Sequence, residues 1–187
     1  TVDRNKRGPE VTFRNPHAGE IAELERQLAT LKIEEKESAL VNAATPEEWT
    51  VLQPIEATAA SKARFETLDD QSLLVSGPNP IEETYEVLYR AGKGKVAAFQ
   101  LDVLPHEALP KGGPGRASNG NFVMVDVCFE DADGNEFQLE PVAIADYSQS
   151  QHHVSLAVDD DLKSGWAINT SQEGNVAHRA NFLLAEL

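Results

Sequence analysis

The sequence holds one cysteine, one methionine, two tryptophans and few basic residues, and it has no long apolar run. A single cysteine makes neither an intrachain disulfide framework nor a cysteine metal cluster. Cys128 falls in the strand-like run from Val123 to Phe129, where a small buried hydrophobe is the expected role. No segment approaches the ~20 apolar residues that a membrane span needs. Sixteen Lys and Arg against 31 Asp and Glu give a formal charge of −15. That balance argues against nucleic acid or an anionic membrane as the main partner, since both need a basic surface. It leaves divalent cations as plausible ligands of clustered carboxylates. A charged-then-apolar leader and an initial Met are also missing, so the chain reads as a processed or excised piece.

What is present suits one domain plus an appendage: 187 residues, 41% hydrophobic and 25% charged. Residues 1–17 are polar and irregular, broken by Gly8, Pro9 and Pro16. From Ala18 onward Ile21, Leu24, Leu28 and Leu31 recur at three- and four-residue steps. Good helix formers lie between them, so a helical linker is expected over residues 18–44. Glu35 and Ser38 interrupt the seam after about two heptads, too soon for a long coiled coil.

Thr45-Pro46-Glu47-Glu48 resets the chain, and residues 45–187 carry β texture. Expected strands are Trp49–Leu52, Ala63–Leu68, Ser72–Val75, Thr84–Tyr89, Val96–Val103, Phe122–Glu130, Glu136–Ala143, Val154–Val158 and Ala180–Leu184. Turn chemistry separates them: Asp69-Asp70, Gly77-Pro78-Asn79-Pro80, Gly92-Lys93-Gly94 and Asp133-Gly134-Asn135, the last a strong hairpin signal. Short strands without helical crossovers mean an antiparallel sandwich or barrel with one N-terminal helix.

Two segments stand out chemically. The Gly-rich run from Gly112 to Phe122 offers Arg116, Asn119 and Asn121 as donors and acceptors. Either these side chains satisfy their own loop or they cradle a polar ligand. The run is no phosphate loop, because it lacks the Lys-Ser/Thr ending and leads into a strand. The second segment, Asp159-Asp160-Asp161-Leu162-Lys163-Ser164-Gly165-Trp166, is either a solvated acidic turn or an oxygen-donor turn for a hard cation such as Ca²⁺. Trp166 is either a buried anchor for that turn or a sugar-stacking platform. His152 and His153 are adjacent, so in a strand they face opposite ways and cannot share a metal. No nucleophile-elbow pattern appears, and no catalytic residue is assigned.

An ordered set of short motifs runs through the rest: Trp49 to Pro54, Leu73 to Pro80 with Thr84-Tyr85, Leu101 to Pro105, Leu109-Pro110, Gly113 to Ala117, Gly120 to Val123, Asp146 to Gln149, and Asp159 to Ile168. Over about residues 48–187 this resembles the β-rich insert of large planctomycete-type multidomain cytochrome c proteins. The resemblance implies an exported protein, extracellular or periplasmic, with a jelly-roll β-sandwich similar to galactose-binding-like, discoidin-type carbohydrate modules. It also implies a structural Ca²⁺ framed by Asp159, Asp161 and Ser164, with Asp160 standing where the pattern usually has Gly. Such inserts continue past the strand at Ala180–Leu184 into closing strands. Their lack predicts an unpaired edge completed by another polypeptide.

The expected function is therefore a non-catalytic, carbohydrate-binding-like module of a larger protein. Its ligand face would comprise Arg116, Asn119, Asn121, Gln149, His152, His178 and Trp166. The alternative is a structural domain that docks redox or other domains of one assembly.

Overall fold

A computed structural model describes residues 17–43, 49–90 and 96–185. The irregular segment expected ahead of His17, the reset at residues 45–48 and the Gly92-Lys93-Gly94 turn lie outside the described residues. The described residues divide between Lys36 and Glu37 into two units.

The expected helix is α1, Ala18–Ala43. Glu20 in its first turn suits the positive end of the helix dipole. Glu23 is bound by Arg26 and, at 3.0 Å, by Gln27 Nε2 along one face. Ile21, Leu24, Leu28 and Leu31 are all exposed, from 43% to 63%.

The second unit is mainly β, built from several antiparallel sheets that are small and do not close. Strand β1 (Gln53–Ala59) pairs with β4 (Tyr85–Arg90), with a register shift at Ile55. Strands β2 (Arg64–Thr67) and β3 (Leu73–Ser76) form a hairpin. Asp70 tightens its turn by accepting the Ser72 N–H at 2.9 Å and the Ser72 hydroxyl at 2.6 Å. Strand β9 (His178–Leu184) lies between β5 (Ala98–Val103) and β7 (Leu139–Ala145). Strand β6 (Phe122–Met124) pairs with β8 (Trp166–Ile168).

Alternation along β9 builds the core. His178, Ala180 and Phe182 point inward together, and Arg179 on the opposite face is exposed. Phe182, Ala180, Val103 and Ala143 meet Trp166 and Ile168 of β8 and Val154 and Ala157 in one buried cluster. Trp166 is fully buried, and its Nε1 donates to the Tyr147 carbonyl at 2.9 Å. Burial of a large aromatic with its N–H satisfied is worth several kcal/mol, of order 3–5 by truncation.

Four local expectations change. Trp49–Leu52 is not a strand; pairing begins at Gln53. Val154–Val158 is a 3-10 turn, Val154–Ala157, entered through His153, whose ring accepts the Ser155 N–H. The apolar run Trp166–Ile168 is instead a strand. Of Phe122–Glu130 only the first three residues pair regularly, and the chain re-pairs at Glu130 opposite Glu136. The Asp133-Gly134-Asn135 turn sits inside that second pairing. Asp131 N donates to Asn135 O at 2.9 Å, and Phe137 N donates to Phe129 O at 2.8 Å.

One further correction concerns position. Cys128 is exposed, because Val127 and Phe129 take the inward direction and leave the thiol on the outer face. Strand β9 is paired on both sides, and among the described residues the open edges of its sheet belong to β5 and β7.

Candidate functional site

The Gly-rich loop begins in a 3-10 turn, Pro110–Gly112, and then folds tightly on itself. Gly113, Pro114, Gly115 and Gly120 are buried, and Gly115 N donates to Gly120 O at 3.0 Å. A Cβ on Gly115 would sit 1.8 Å from the Asn121 carbonyl oxygen, far inside van der Waals contact. The glycines therefore serve close backbone packing, not an open cradle.

The Arg116 guanidinium and the side-chain oxygens of Asn119 and Asn121 bind within the protein. Arg116 donates from one guanidinium nitrogen to the Tyr85 hydroxyl (2.8 Å) and from the other to the carbonyls of Gly77 (3.0 Å) and Pro78 (2.7 Å). Its own carbonyl accepts from Asn79 Nδ2 at 2.8 Å. Asn119 Oδ1 accepts the Asn121 N–H at 3.1 Å. Asn121 Oδ1 accepts the Thr170 N–H at 3.1 Å, at the start of the short helix α2, Thr170–Glu173. Arg116 thus ties the loop to the β3–β4 connection, while Asn121 ties it to the segment after β8.

The remaining ligand candidates fall elsewhere. Gln149 and His152 belong to a turn laid along β8: Gln149 N donates to Ala167 O at 2.9 Å, and Ala167 N donates to His152 O at 3.3 Å. Trp166 has no exposed face on which a sugar could stack. His178 is 4% exposed, with its ring 5.1 Å from that of Tyr147. Its Nδ1 lies 3.4 Å from Asp146 Oδ1. The direction is wrong for a hydrogen bond, so neither ring nitrogen has a partner.

The acidic turn is more ordered than its composition suggests. Asp159 Oδ1 accepts the Asp161 N–H at 2.9 Å, and Asp161 Oδ1 accepts the Lys163 N–H at 3.0 Å. Asp160 has φ of +61°, the left-handed region that Gly would enter freely and that Asp tolerates. Ser164 Oγ lies 2.8 and 3.0 Å from the Asp159 carboxylate oxygens. It is also 3.0 Å from Asp161 O and 3.4 Å from Leu156 O. One hydroxyl proton serves only one of these acceptors, so the turn concentrates oxygen lone pairs. Among the described residues, no three His, Cys, Asp or Glu side chains gather as a metal-holding group.

No family model, curated protein or solved structure matches this chain.

Sequence reasoning missed Glu83 and Thr170. Glu83 accepts the Ser61 N–H at 3.1 Å and the Ser61 hydroxyl, which bridges the ends of β1 and β4. The Ser61 hydroxyl holds the Glu83 carboxyl below its ordinary range, with Arg116 adding a smaller pull. Neither residue sits in a recognisable pattern, because each pairs with a group far along the chain.

Proposed function

We infer that this chain is a non-catalytic interaction module that holds a neighbouring domain or chain within a larger exported assembly. The observation that carries this reading is the use of Arg116. Its guanidinium is engaged by three acceptors inside the protein, and the side-chain oxygens of Asn119 and Asn121 accept backbone N–H groups of the same unit. A cradle for a free polar ligand needs such groups turned outward, since unpaired donors and acceptors are what confer specificity. The core cluster draws side chains from both the β5-β9-β7 and the β6-β8 sheets, which supports a sandwich arrangement of the jelly-roll kind. Affinity electrophoresis against soluble polysaccharides tests the reading. It predicts no retardation of the native chain; retardation that a soluble competing sugar relieves overturns it.

The acidic turn favours a second reading, a galactose-binding-like carbohydrate module with a structural Ca²⁺. The donor set is oxygen-only, which suits a hard cation. Asp159, Asp161 and Ser164 would hold the ion, whose charge would neutralise the crowded lone pairs and knit the turn. Asp160 already sits at positive φ, a region that Gly enters freely. Thermal unfolding in Ca²⁺ against EGTA tests it: at a hundredfold excess over Kd, binding adds about 2.7 kcal/mol. An identical Tm in both, or an equal rise in Asp159→Asn, rules it out.

A further inference from the structure

We draw no further inference here: the strongest candidate, the side-chain cluster of buried His178 at the start of β9 and Asp146 just beyond β7, whose Nδ1 and Oδ1 lie 3.4 Å apart, carries nothing, because both imidazole nitrogens are closed to solvent and, among the described residues, no third His, Cys, Asp or Glu side chain joins the pair as a metal-holding group.

Discussion

Replacing Arg116 by Ala removes three hydrogen bonds that connect the Gly-rich loop to Gly77, Pro78 and Tyr85. Bonds from a charged donor are worth roughly 1.5–3 kcal/mol each when buried. Arg116 is half-buried, so water replaces part of each, and about 1 kcal/mol per bond is the appropriate scale. The sum is about 2–3 kcal/mol; the Asn79 contact uses the Arg116 main chain, survives the substitution and adds nothing to the loss. For a chain of this size each kcal/mol moves Tm by about 2–4 °C, so Arg116→Ala should melt about 4–12 °C lower. Lys keeps the charge but not the fork, so Arg116→Lys should recover less than half of the loss. Circular dichroism at 218 nm, near the β-sheet minimum, with parallel urea titrations, reads both variants. A Tm for Arg116→Ala within a degree of the native value, or full recovery by Lys, would falsify the clamp.

Gly115→Ala should abolish folding, because the new methyl meets backbone that cannot yield. The control Gly134→Ala, at φ +81° in open space, should cost only about 1 kcal/mol; equal effects in a thermal melt would refute the packing argument. The carboxyls of Asp70, Asp131 and Glu83 are held low, chiefly by hydrogen bonds from the side chains of Ser72, Asn135 and Ser61. Groups held low in the fold contribute stability above the free carboxylate range and lose it as pH falls through their folded values. Tm should therefore drop below about pH 4, and a Tm that rises from pH 5 to pH 3 would contradict this. Cys128 is exposed, yet partial burial first, and then Glu130, Asp126 and Glu136, push its thiol up. Iodoacetamide should label the native protein completely but more slowly than a free cysteine at pH 7.5. Labelling that requires denaturant would show the outward placement to be wrong.

The N-terminal helix and most strand positions were legible because hydrophobic period alone sets them. Ile21 to Leu31 show it for the helix and Leu101-Asp102-Val103 for a strand, while Leu73 to Val75 reads as a strand by being a short apolar run between turns. Errors came where local texture and tertiary pairing disagree. Val154–Val158 is β-branched at both ends but is turned by the His153 cap. Trp166–Ile168 is only three residues long and becomes a strand because Phe122–Met124 lies beside it. Cys128 was misplaced by residue type, when alternation with Val127 and Phe129 decides its direction. The loop at Gly112–Phe122 stands out in the sequence by its glycine content. Its two meanings separate only through Tyr85, Gly77 and Thr170, partners 31 to 51 residues away from the loop groups they bind.

The place of β9 between β5 and β7 has a kinetic consequence. The strand that completes the three-stranded sheet comes later in sequence than both its neighbours. Asp102 and Arg179, 77 residues apart, sit opposite each other in that pairing. On the ribosome β5 and β7 emerge with no partner between them and wait, edges bare, until residues 178–184 arrive. Pairing over such separations is slow, and bare edges are where chains aggregate. The sheet must therefore form late and at once, which makes truncation or delay before His178 the point at which this protein is most easily lost.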